Sequence, residues 1–191
     1  MHSIPGHRRA DLVETKELLD AAGVEAALRQ IAGQIAERNP DHQSLLIVGI
    51  RTGGAFLAAR LCALLAGRLG APVETGVIDI TLYRDDVFDG LPRPKVGSTE
   101  LPDTLDGRTI VLCDDVLFTG RTIRAALGEL VDFGRPACVQ LAVLVDRGHR
   151  EVPIQPDYVG LRVDTRQDQS VRVMLQELGE PDRVVLLGRA S

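Results

Sequence analysis

The chain of 191 residues is long enough for one domain with a full core, and its 45% apolar and 26% charged content is ordinary for a globular protein. No apolar run is long enough to span a bilayer and the start MHSIPGHRR lacks an apolar h-region, so neither a membrane protein nor a secreted one is expected, and the cytoplasm is the default. The net charge of −5 argues against a dedicated nucleic-acid binder, although all basic residues but Lys16 and Lys95 are arginine, the planar cation suited to forked phosphate contacts. Cys62, Cys113 and Cys138 lie in apolar patterns without metal-ligand spacing and read as small core residues, which leaves no metal site from the protein alone.

Residues 1–13 show no periodicity and are expected as a loosely held arm with a solvated His7-Arg8-Arg9 cluster. Asp20 is a candidate N-cap for a helix with Val24, Ala27, Leu28, Ile31 and Ile35 on one face, ending near Asn39-Pro40. Leu45 to Ile50 reads as a strand covered on both faces. Arg51-Thr52-Gly53-Gly54 then turns into a helix bearing Leu57, Leu61, Leu64 and Leu65, stopped by Gly70 and Pro72. Such a turn is either a plain tight connection or an anion cradle at a helix start. Val73 to Tyr83 is the next strand. Residues 85–104, with three prolines and two glycines, are too long for an inert link between core strands and are expected as a flexible binding loop. Arg84 at its root, Arg93 and Lys95 would reach a ligand beneath it.

Thr109 to Cys113 is another apolar strand, followed at once by Asp114 and Asp115. Two carboxylates cannot both continue a buried strand, which puts them at its carboxyl end, where open α/β sheets hold ligands. Phe118-Thr119-Gly120-Arg121-Thr122 leads into a helix whose Ile123, Ala126, Leu127, Leu130 and Val131 fall at helical spacing. Unpartnered backbone N–H groups, the hydroxyls of Thr119 and Thr122 and the close approach allowed by Gly120 suit a phosphate dianion. Carboxylates just upstream would repel that phosphate, unless they address hydroxyls or a metal one sugar-length away; a phosphorylated ribose has that layout. Ala137 to Val145 is a further strand ending in Asp146-Arg147-Gly148-His149-Arg150, where His149 beside two arginines reads as a surface group rather than a general base. SVRVML and DRVVLL read as two paired closing strands.

VLCDDVLFTGRTIRAAL resembles the phosphoribosyl pyrophosphate (PRPP) motif of type I phosphoribosyltransferases, and within that superfamily it is similar to the PyrR family of pyrimidine-operon regulators and uracil phosphoribosyltransferases. DITLYRDD and VLVDRGHREVPIQPDYVG share the likeness, which covers roughly residues 12 to 160. The resemblance implies an α/β fold with a mainly parallel twisted sheet flanked by helices: one domain over 1–191, with 85–104 as a flexible catalytic loop and 151–191 as a small hood and closing strands. It implies transfer from PRPP to uracil, giving UMP and pyrophosphate, with Mg²⁺ entering with PRPP. It further implies regulation of the pyr operon through leader mRNA under control of UMP and UTP, and a homodimer or larger homo-oligomer.

Carried over residue by residue, Asp114, Asp115 and Arg84 would be catalytic. Leu117, Phe118, Thr119, Gly120, Arg121 and Thr122 would hold the 5′-phosphate, Arg51, Thr52, Gly53 and Gly54 the pyrophosphate, and Tyr158 and Val159 the base, largely through backbone. Two departures stand out. Gly53 replaces a basic residue found in many relatives, leaving backbone donors and Arg51, and residues 161–166 replace a Lys-Asn-Ile-Pro-Thr-Ser segment, on which base selectivity turns. A transferase for purines or other bases, and a chiefly regulatory RNA-binding protein with weak activity, remain open on the sequence. RNA contacts would have to be gathered from His7-Arg8-Arg9, Arg147 to Arg150, Arg162, Arg166 and Arg172.

Overall fold

Apolar runs without alternation need cover on both faces. In the computed structural model, which describes residues 12–80 and 98–190, they receive it. The elements run β1 (Leu12–Leu19), α1 (Ala21–Arg38), β2 (Leu45–Ile50), α2 (Gly53–Leu69), β3 (Glu74–Ile78), β4 (Thr109–Leu117), α3 (Arg121–Asp132), β5 (Cys138–Asp146), β6 (Tyr158–Arg162), β7 (Ser170–Met174) and β8 (Arg183–Arg189). Strands β3-β2-β4-β5-β6 pair in that order as a parallel sheet. Leu45 and Ile47 of β2 join the core under α1 and α2, while Leu46, Val48 and Ile50 join the core under α3. Among the described residues no helix is long and apolar enough to cross a membrane.

Strand order reverses direction between β2 and β4. The chain leaves β2 through α2 toward β3 on one side, and leaves β4 through α3 toward β5 on the other. A crevice therefore opens at the carboxyl ends of β2 and β4, the place such sheets use for ligands. A second, antiparallel sheet of order β1-β8-β7 gathers the two ends of the chain into a hood. Val171, Val173, Leu175 and Val184 sink into the α1/α2 core and fix the hood to the main sheet.

Most element expectations hold at close to residue precision. Asp20 caps α1 by accepting from Gly23 N–H at 2.8 Å, and its five stripe residues are buried. Gly70 ends α2 in the left-handed region at φ 69°. Several expectations need correction. Residues 12–19, partly placed in the loose arm, form β1; its ETKE centre is exposed, so no alternation betrayed it. Val131 is 67% exposed, because eight residues on from Ile123 it is turned about 80° from the buried stripe. Cys138 is exposed, not core. β6 pairs with β5 in the main sheet, and the two C-terminal strands of the hood begin at Ser170, where the closing strands were expected. Of the expected flexible loop, residues 98–104 are described. Glu100 is joined to Val77 of β3 by two backbone hydrogen bonds of 2.7 Å. Arg84, Arg93 and Lys95 lie outside the described residues, as does His7-Arg8-Arg9.

Candidate active site

β4 runs further than the carboxylates allow on a simple reading. Its pairing with β2 ends at Gly49↔Cys113, but pairing with β5 continues to Leu117↔Asp146. Asp114 and Asp115 thus sit where β4 has lost its β2 neighbour, on a strand still held from the other side. Asp114 is buried at 7% exposure and its carboxylate accepts the Asp115 N–H at 3.0 Å; Asp115 accepts the Val116 N–H at 2.8 Å.

The 51–54 turn lies against these acids. A Cβ on Gly53 would stand 2.5 Å from the Asp115 Oδ2, and one on Gly54 would stand 2.3 Å from the Cys113 carbonyl oxygen. Only glycine permits so close an approach of the turn to β4. The Arg51–Thr52 peptide is cis. The Arg51 guanidinium donates to the Ser98 carbonyl at 3.0 Å and to Glu100 at 2.9 Å.

Beyond the acids, Gly120 stands at φ 88° as the cap of α3, which has no side-chain cap hydrogen bond. The first amides of the helix are thus presented to the crevice, with Thr119 Oγ1 only a weak 3.4 Å partner for Arg121 N–H. Together these parts line a cleft of about 600 Å³, within the range of small-ligand sites. The walls include Arg51, Thr52, Gly53, Asp114, Asp115 and the whole of Leu117 to Thr122, so the expected sugar, 5′-phosphate and pyrophosphate residues meet in one place, except Gly54 and Arg84, the latter outside the described residues.

Tyr158 and Val159 are not brought there. They pair with Ala142 and Val143, well back from the ligand end of β5, and their side chains enter the cores on opposite faces of the sheet. Tyr158 donates to Gln140 Oε1 at 2.6 Å and accepts from Asn39 at 3.2 Å, a buried structural network. Burial raises its phenol above the usual value. The register puts Leu161 and Arg162 opposite Val145 and Asp146 at the ligand end instead.

Several wall residues escaped the sequence reading of the site, Arg124, Val171 and Val173 among them. Arg147, Ser170, Arg172 and Leu178 line the cleft, the last three from the hood. The alternation of SVRVM, with Val171 and Val173 buried and Arg172 outward, marks the rim strand. Nothing in DRGHR shows that Arg147 turns inward to 5% exposure.

Charge in the cleft runs against that of the whole chain. Arg51, Arg121, Arg124, Arg147 and Arg172 line it, five arginines against the two aspartates. Three of them hold exposed glutamates: Arg51 with Glu100 at 2.9 Å, Arg121 with Glu151 at 2.7 Å and Arg172 with Glu180 at 2.6 Å. Such surface pairs contribute little net stability. An incoming phosphate can replace each glutamate at small cost. Among the described residues no group of three His, Cys, Asp or Glu is placed to hold a metal ion.

A phosphoribosyl transferase domain model matches residues 14–177, and the chain belongs to that family. Solved hypoxanthine-guanine enzymes share the fold. One from Leishmania tarentolae superposes with a TM-score of 0.70 at 20% identity, covering 91% of this chain and 96% of that one; the hypoxanthine phosphoribosyltransferase of Trypanosoma cruzi gives 0.69 at 19%, covering 93% and 98%. Within the family the chain belongs with the bifunctional PyrR proteins. It is 52% identical to that of Geobacter sulfurreducens over 88% of this chain and 96% of the relative, and 49% identical to that of Thermus aquaticus over 89% and 94%.

Proposed function

We propose that the chain transfers the phosphoribosyl group of PRPP to uracil, giving UMP and pyrophosphate, and that it also regulates the pyr operon by binding leader mRNA in response to uridine nucleotides. The observation that carries the catalytic half is the cleft at the β2/β4 switch point, where two carboxylates stand between two phosphate-suited turns. The likeness to relatives named bifunctional PyrR supports both halves.

In this reading the 5′-phosphate docks on the amides and hydroxyls of Thr119 to Thr122, and the pyrophosphate on the 51–54 turn and Arg51. Asp114 and Asp115 then face the ribose hydroxyls and favour positive charge developing at the sugar carbon. Bond breaking at that carbon passes through an oxocarbenium-like state with a polyanionic leaving group, so positioning and charge neutralisation outweigh any nucleophile. Mg²⁺ would arrive as part of Mg-PRPP, spreading leaving-group charge, with the Asp114 and Asp115 oxygens as the hard donors on hand. Arg84 is proposed to join the pyrophosphate from the loop, and a homo-oligomer is expected. The base would lie beyond the ribose, between the ends of β5 and β6 and the β7 rim.

A panel of uracil, hypoxanthine, guanine and adenine with Mg-PRPP tests the catalytic half. UMP formation at a rate at least about a hundredfold above any purine product is expected, the scale of discrimination that pocket size alone supplies. Purine transfer equal to uracil transfer would overturn the base assignment.

A further inference from the structure

Arg147 is almost wholly buried yet forms part of the cleft wall. Its guanidinium carbon lies 4.0 Å from the centre of the Phe118 ring, beside the 5′-phosphate turn. The same guanidinium donates to the Gln169 carbonyl at 2.6 Å and to the Arg166 carbonyl at 3.4 Å. Its backbone is held as well. The Arg147 N–H donates to the Leu117 carbonyl at 3.1 Å, and its carbonyl accepts the Thr165 hydroxyl at 3.3 Å. A second tether runs alongside: the His149 ring meets Phe118 edge-on with centroids 5.7 Å apart, and its Nε2–H donates to the Thr165 carbonyl at 2.7 Å.

These contacts join Phe118 to residues 165–169, and that segment runs directly into Ser170 and Arg172 at the cleft rim. A planar guanidinium can stack on a ring with its face while donating in its plane; an ammonium cannot do both. We propose that Arg147 is a positioning residue for the nucleobase. It fixes the gap between the phosphate turn and the β7 rim, and so sets the width that admits a one-ring base and discriminates against a two-ring one. The proposal rests on the phosphoribosyl-transfer reading and adds to it the residue that governs base selection.

Arg147→Lys keeps the charge and loses the stacked, forked geometry. The KM for uracil should rise about tenfold, the scale of one lost charge-assisted hydrogen bond, while the KM for PRPP stays within about twofold. The ratio of kcat/KM for uracil over hypoxanthine should narrow by a similar factor. Direct binding gives a readout independent of turnover: affinity for UMP should fall about tenfold while affinity for ribose 5-phosphate is kept. Thr165→Val, which cuts one tether without touching the buried charge, should move the same ratios in the same direction by less and serves if Arg147→Lys does not fold. Equal loss for UMP and ribose 5-phosphate, or a lower Tm with both ratios unchanged, would overturn the proposal. A wild-type chain that made no UMP would instead strike the reaction, and the two-ligand comparison would still decide the role of Arg147.

Discussion

Gly54 has no room for a side chain: a Cβ would meet the Cys113 carbonyl at 2.3 Å, and a backbone atom on a central strand cannot step aside cheaply. Gly54→Ala should therefore cost about 1–3 kcal/mol, the usual scale of overpacking, and should lift the 51–54 turn off β4. Chemical denaturation and transferase assay should show both losses. Asp115→Asn, by contrast, keeps shape and removes charge. It should lower kcat by about a hundredfold or more with Tm little changed, as should Asp114→Asn to a lesser degree, since both would act on charge that develops in the transition state. Near-normal turnover in both variants would refute their roles. At this scale the acids and the small-residue turns were legible because they are contiguous with the strands that carry them. Arg147 was not, because the direction of one arginine among two at a strand end depends on the neighbours it packs against.

Two clamps shape the elements. Arg60 of α2 reaches the hood, donating to Glu177 at 2.7 and 2.6 Å and to Asp182 at 2.6 and 2.9 Å, while Asp182 also accepts the Gln176 N–H at 2.8 Å. Hydrogen bonds from Arg60 hold both carboxyls below their ordinary values of 4.5 and 3.8. A depressed carboxylate stabilises the fold above its unfolded pKa, and that contribution fades as pH falls through the folded value. Arg60→Gln should thus cost about 1–3 kcal/mol at neutral pH, between the limits for exposed and buried pairs. The gap to wild type should close as pH drops from about 5 to below the folded values; a gap constant with pH would contradict the clamp. The other is the Asn39, Gln140 and Tyr158 network. Tyr158→Phe should cost about 1–2 kcal/mol for lost buried hydrogen bonds. It should leave the KM for uracil unchanged, whereas a Tyr158 hydroxyl bonded to the base would raise it.

Strand and helix positions followed from apolar periodicity because each buries a face or both. The misplaced strands share one cause, which is that pairing was decided at a distance. β1 is polar and held by β8, and Tyr158 belongs to the sheet because of its register with Ala142.

For the whole molecule, the fold and the ligand end were readable from strand–turn–helix order, and the C-terminal half of the hood was readable as two paired closing strands. The RNA face was not. Arg150 is turned inward, donating to Asp146, Phe118 and Ile154, and Arg147 is buried, which leaves Arg162, Arg166 and Arg172 as the exposed arginines among the described candidates. Binding of a pyr leader stem-loop should tighten with UMP and weaken steeply with salt, in proportion to the phosphates neutralised. A scrambled RNA bound equally well would end the regulatory half. In the proposed function, the cleft between β2 and β4 seats a ribose phosphate with its phosphate on the first turn of α3. A crystal structure of the chain with UMP tests it directly. It should show the phosphate oxygens about 2.7–3.2 Å from the backbone nitrogens of residues 119–122, with the ribose hydroxyls facing Asp114 and Asp115. A phosphate bound away from α3, or a ribose turned from both carboxylates, would contradict it.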